Sequence, residues 1–222
     1  MKEFFANSIA IKEQFFIETL ATLYMVGVTA LISGILGTAL GVMLLVTGEG
    51  GLLENRSLYH ILDKIVNFFR SVPFIILLAI IAPFTRWIVG TTIGNHAAIV
   101  PLTAGTLPFF ARQVQNALLE VDKGIIEAAR SMGSSPAEII FKVYLREGLP
   151  GIIRAGSVTI ISLIGLSAMA GAIGAGGIGK LAITQGYNQF HQDVTLLSTL
   201  IILILVFISQ MIGDWIVKKI SH

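Results

Sequence analysis

The chain has 222 residues, 55% hydrophobic and 13% charged, with a formal net charge of +2 and a mean hydropathy of +0.84. Soluble domains carry roughly 25% charged residues, so an ordinary water-soluble globule is excluded and lipid must be part of the solvent. Cysteine is absent, which removes a disulfide framework, a thiolate metal site and a cysteine nucleophile.

Residues 1–18 mix acids, bases and aromatics. The apolar run behind them is far longer than the about 7–15 residues of a signal-peptide core, so no cleavable signal is expected. Phe4, Phe5, Ile9, Phe15 and Phe16 fit one side of an interfacial helix, which makes 1–18 an N-terminal interfacial segment. An irregular lead-in is the alternative.

A hydrocarbon core of ~30 Å takes about 20 residues of apolar helix. Residues 19–47 contain no charge and form the first predicted span. The second covers 65–83, entered past Arg70 and bent near Pro73; the third covers 97–119, with Pro101 and Pro108 inside it and Arg112 near one end. The fourth is 152–173 and the fifth 194–217. Prolines inside spans are tolerated because neighbouring helices and hydroxyls satisfy the freed carbonyls. About five transmembrane helices in an all-α membrane protein are therefore expected, since a β-barrel would show short alternating strands. The membrane domain is 19–217, and 218–222 forms a tail.

Small residues recur at helix-contact spacing in the first span, with Ala30, Gly34 and Thr38 on one line and Ser33, Gly37 and Gly41 on the next. Such lines let backbones approach closely. The fourth span is similar, with Ser162, Gly165, Ser167, Ala168, Ala170, Gly171 and Gly174. It is the span expected to line a pathway; ordinary close packing within one subunit is the plainer reading of most of these positions.

Between the third and fourth spans lies a polar segment, 121–150, too ordered to be a simple connector. Residues 124–132 read as a short helix offering Ile125, Ile126, Ala128 and Ala129 as a small apolar surface, and Gly133 ends it because glycine accepts a left-handed conformation. Ser135 as N-cap, Pro136 at the first helical position and Glu138 three residues after the cap start the next helix. Ile139, Ile140 and Val143 continue it as an amphipathic piece. Such a segment is a docking surface for a soluble partner, or an interfacial helix pair resting on the headgroups.

After the fourth span, Gly174, Gly176 and Gly179 fit a dinucleotide fingerprint, and Gly174, Gly179 and Lys180 fit a phosphate-binding loop. Leu181 stands where the Mg²⁺-binding hydroxyl belongs, and no βαβ unit surrounds the run. It reads instead as a tight turn that allows close subunit contact. His60, His96, His191 and His222 lack ligand spacing, so no metal site is expected. The central parts of the spans lack Asp and Glu, which disfavours a proton relay.

Basic residues orient the chain. Arg56, Lys64, Arg70, Arg112, Lys123, Arg130, Lys142, Arg146, Arg154, Lys218 and Lys219 gather on one side, against Lys2, Lys12, Arg86 and Lys180 on the other. The polar segment and the C-terminus are thus predicted to be cytoplasmic and the N-terminus external.

At Glu127, Ala128, Ala129 and Gly133 the chain resembles the membrane subunits of bacterial ABC importers, whose loop carries Glu-Ala-Ala with glycine further on. Arg146 stands where many members have proline, and Pro150 is expected to supply the break. The runs 69–78, 83–86, 88–91, 97–103 and 116–120, with Ser167-Ala168-Met169, Gly171 and 174–179, are similar to methionine-importer permeases. The likeness covers almost everything after Glu18. It implies an ABC type I importer permease fold in the bacterial plasma membrane. It also implies a homodimer, two ABC ATPase subunits and an extracytoplasmic substrate-binding protein. ATP and Mg²⁺ would then sit on the ATPase, leaving no cofactor and no enzymatic activity on this chain. Glu127, Ala128, Ala129, Arg130 and Gly133 become ATPase-coupling residues, and Met169, with Ala168 and Gly171, the translocation gate. The rivals are a permease for another amino acid and an ion-coupled carrier or channel without an ATPase.

Overall fold

The computed structural model describes residues 5–220, and every regular element among them is helical. A short α1 (Ala6–Ala10) precedes α2 (Lys12–Thr47). At ~1.5 Å per residue α2 spans about 54 Å, so helix begins well before the uncharged stretch. The N-terminal aromatics do not share one face. Phe15 is buried against Ile178, Leu181 and Val194, whereas Phe5, Ile9 and Phe16 are exposed; Phe4 lies outside the described residues. The buried Asp193 carboxylate ties this end down, accepting from Ser8 N at 2.7 Å, Ser8 Oγ at 2.8 Å and Asn7 Nδ2 at 3.2 Å.

The second predicted span is not one helix. α3 (Arg56–Ser71) and α4 (Phe74–Val89) meet at an angle of 113°. Pro73 stands at the N-cap of α4 with ψ 133°, and a residue before proline is pushed out of the helical region, so Val72-Pro73 ends α3. Its amphipathic pattern then leaves Asp63 and Asn67 on a polar face. α5 (Asn95–Leu119) is 25 residues long with both prolines inside. By length and apolarity three helices among the described residues can cross a membrane: α2, α9 (Leu149–Ala170) with the turn behind it, and α11 (Gln192–Ile220). The α3–α4 pair counted as one makes a fourth. The third expected span, α5, falls short because Arg112, Gln113, Gln115 and Asn116 lower its apolarity.

Between α5 and α9 come α6 (Lys123–Ser131), then α7 (Pro136–Glu138), a π-helical stretch (Ile139–Tyr144) and α8 (Leu145–Glu147). The chain does not leave helix at Pro150. Gly148 N donates to Tyr144 O and Ile152 N to Gly148 O, each at 2.9 Å, so helical bonding runs on into α9. Pro150 falls in the first turn of α9, where the fixed φ of proline suits a helix start. Behind α9 a π-helical turn (Gly171–Ala175) leads to α10 (Ile178–Lys180), a second π-helical stretch (Leu181–Tyr187) and α11.

Two compact units emerge, each assembled from distant pieces of sequence. Among the described residues the first comprises 5–31, 72–106 and 160–210; its core holds the fully buried Met25, Leu102 and Leu163 with Val26, Ala98, Ile164, Ala170 and Ala175. The second comprises 32–71, 107–159 and 211–220, cored by Leu45, Phe110, Val114 and Leu118. In this second unit Gly37 and Gly41 meet α5. A Cβ on Gly41 would lie 2.6 Å from Ala111 O and one on Gly37 2.8 Å from Phe110. Of the two predicted small-residue lines, the one through Ser33, Gly37 and Gly41 is therefore the contact ridge, while Gly34 has nothing within 4 Å.

Candidate functional site

The polar segment in the second unit folds on local instructions. Asp122, an N-cap the sequence reading passed over, accepts from Gly124 N at 2.6 Å and Ile125 N at 3.3 Å. At the other end Gly133 has φ 82°. Ser134 N donates to Ala129 O at 3.1 Å and Gly133 N to Arg130 O at 2.9 Å, the paired bonds of a Schellman close. The next helix starts as expected, with a complete capping box between Ser135 and Glu138.

That box has an electrostatic signature. Glu138 Oε2 accepts from Ser135 N at 3.0 Å, and Lys142 Nζ reaches Oε1 at 3.0 Å. The Ser135 backbone bond first, then Lys142 and the Ser135 hydroxyl, hold the carboxyl down at about 2. Every one of these bonds favours the charged form.

Burial sorts the predicted coupling residues into two sets. Ile126 and Ala129 turn inward and pack with Ile139 over Leu52, Val121, Val143 and Tyr144. Glu127, Ala128, Arg130 and Gly133 are exposed. The expected apolar surface Ile125, Ile126, Ala128 and Ala129 is thus split: Ala129 serves the chain's own core and cannot offer itself outward. Two residues the sequence reading did not select join the outer face, Met132 at 79% and Phe141 at 70% exposed. Nothing in the sequence set them apart, because Ile125, Ile139, Ile140 and Val143 of the same segment are equally apolar.

The same unit holds a largely buried ion pair. Arg112 of α5 bonds Asp63 of α3, Gln115 at 2.7 Å and Asn67 at 3.2 Å, with only 16% and 26% of the Arg112 and Asp63 side chains exposed. Arg112 was visible in the sequence; its partner, 49 positions away, was not.

In the first unit the predicted gate residues sit together at the end of α9. Met169 is 43% exposed, Gly171 is buried, and Ala168 lies between. The glycine run forms a turn, with positive φ at Gly174, Gly176 and Gly177. The close approaches of Gly177 and Gly179 within this unit are to Thr22, Met25 and Ala168 of the same chain. Among the described residues no group of three or more His, Cys, Asp or Glu side chains is placed to hold a metal ion.

Long apolar helices, a sharply broken helix pair and a rigidly capped exposed segment define an all-helical membrane permease. Residues 37–222 match the family described as "Binding-protein-dependent transport system inner membrane component", and the chain belongs to that family. It is 47% identical over 206 residues to the probable D-methionine transport system permease protein MetI of Pasteurella multocida (strain Pm70), covering 93% of this chain and 95% of that one. It is 48% identical over 179 residues to the methionine import system permease protein MetP of Bacillus subtilis (strain 168), covering 81% of each. A structure of inward-facing conformations of the MetNI methionine ABC transporter superposes with a TM-score of 0.94 at 45% identity, covering 96% of this chain and 99% of that one. An amino acid ABC transporter crystallised with histidines gives 0.80 at 18% identity, which shows the fold alone.

Proposed function

We infer that this chain is the membrane permease subunit of an ATP-driven methionine importer. The observation that carries the reading is the whole-chain superposition on the MetNI permease, with a TM-score of 0.94 and 45% identity. Two copies form the pathway, two ATPase subunits dock from the cytoplasm, and an extracytoplasmic binding protein delivers the solute. ATP and Mg²⁺ are held by the ATPase, which hydrolyses the ATP. This chain contributes motion, not chemistry.

The outer face of α6 supports the coupling role. Glu127 offers a carboxylate and Arg130 a cation to the ATPase groove, Ala128 permits close approach, and Met132 and Phe141 add apolar anchors. Ala129 acts from beneath, seating α6 on Ile139 so that a push on the helix reaches α9 through the continuous helical run. Gly133 sets the turn. Met169, flanked by Ala168 and Gly171, narrows the outer end of the pathway, where a flexible thioether can repack as helices separate.

The test is reconstitution. The tagged chain is expected to co-purify an ATPase subunit, and proteoliposomes holding the complex should accumulate methionine only with ATP and the binding protein present. Uptake that persists without ATP and follows an imposed ion gradient would overturn the reading. ATP-dependent uptake of a different amino acid, with methionine ignored, would overturn the solute alone.

A further inference from the structure

The run that imitates a phosphate-binding loop in sequence has another use. α10 and the π-helical stretch behind it form one helical segment whose N-cap is Gly177, which has no side chain to cap with. The first N–H groups of a helix have no partner within it. Here α2 supplies the partners from outside. Glu18 Oε2 accepts from Gly177 N at 2.6 Å, and Thr22 Oγ1 accepts from Ile178 N at 2.9 Å. Glu18 Oε1 also takes Lys180 Nζ at 3.0 Å, with the Glu18 side chain only 14% exposed. A carboxylate in this place faces the positive end of the helix dipole.

Gly177 is required for the approach. Its φ is 80°, and a Cβ there would stand 2.7 Å from Thr22 Oγ1. Two residues on, Gly179 lies against the Ala168 backbone more closely than any side chain permits. On the other side Gly94 N donates to Gly174 O at 3.0 Å. A short rigid path therefore runs from Glu18 through residues 177–180 to Ala168 and its neighbour Met169.

We infer that Glu18 and Thr22 are positioning residues for the end of α9: by capping α10 from α2 they hold Ala168 and Met169 in the resting arrangement. The role rests on the reading of the chain as a permease coupled to an ATPase. Without the cap the turn opens more often, α9 loses its fixed end, and the complex hydrolyses ATP without solute to carry.

The chain has no cysteine, so Ala175→Cys, in the turn at 8% exposure, is a clean reporter. In the assembled complex, Glu18→Ala and separately Thr22→Val should raise its labelling by a water-soluble thiol reagent. About tenfold is expected for Glu18→Ala, the change in local opening that loss of a charge-assisted hydrogen bond produces. Glu18→Gln should fall between, because its amide oxygen still accepts from Gly177 N. ATP hydrolysis without solute or binding protein should rise in the same order. Unchanged labelling in both Glu18→Ala and Thr22→Val overturns the cap. Faster labelling with unchanged solute-free hydrolysis overturns the positioning role. A wrong solute assignment shows separately, as absent methionine uptake by the unaltered complex with both readouts intact.

Discussion

Gly133 combines two properties in one residue: φ 82° and open space around the missing Cβ. Substitution by valine thus costs of order 1–2 kcal/mol through the left-handed backbone, with no clash inside the chain. Gly133→Val should insert and fold yet retain less ATPase on co-purification, and uptake should fall with it. Unchanged co-purification and uptake would remove Gly133 from the coupling segment. Two residues later the Ser135–Glu138 box makes a pH prediction. Glu138 titrates at about 2 in the fold against an ordinary 4.5. Its folded value is depressed, so its contribution is complete above about 4.5 and disappears as pH falls toward 2. Amide exchange at residues 135–138, corrected for intrinsic rates, should accelerate between pH 5 and pH 3 (both approximate, from the same linkage). Glu138→Gln should abolish that pH dependence.

Helix contacts set the element scale. α2 and α5 meet in the second unit through Gly37 and Gly41, with the Gly41 site only 2.6 Å from Ala111 O. Gly41→Leu forces the two backbones apart, and overpacking of this kind typically costs 1–3 kcal/mol, roughly. Gly34 lies two turns earlier with nothing within 4 Å, so Gly34→Leu is the control. Thermal unfolding in detergent should show a clear loss for Gly41→Leu and almost none for Gly34→Leu. Equal losses would mean that α2 uses its other face. The Arg112–Asp63 tie binds α3 to α5 in the same unit, which gives the short amphipathic α3 a fixed partner on its polar side.

At the scale of the whole molecule, orientation and assembly are the open predictions. The basic-residue asymmetry puts 48–63 in the cytoplasm. Leu53, 51% exposed, is a suitable probe. Leu53→Cys should react with an impermeant thiol reagent in inverted vesicles and not in intact cells; the reverse pattern would invert the topology. If two copies meet across Met169, Met169→Cys should cross-link to its twin in the resting complex, since disulfides need Cα atoms within about 7 Å. The yield should fall when ATP is trapped. Cross-linking indifferent to nucleotide would mark a static contact, and none in any state would put Met169 off the axis.

Sequence alone determined what depends on composition or on neighbours three or four residues apart. The membrane class follows from apolar length. The close of α6 at Gly133 and the start of α7 at Ser135 follow from a left-handed glycine and a reciprocal cap, both strictly local. Tertiary structure decided everything that turns on which helix faces meet. In α2, Leu23 is exposed and Met25 fully buried, yet both are apolar, because lipid-facing and core-facing positions demand the same chemistry. Periodicity therefore could not tell Ala128 from Ala129, Gly34 from Gly41, or Phe16 from Phe15. The partners of Arg112 and of the glycine turn were equally hidden. Asp63 lies 49 positions from its arginine and Glu18 lies 159 from Gly177; only the folded chain brings a carboxylate to a helix start that glycine leaves uncapped.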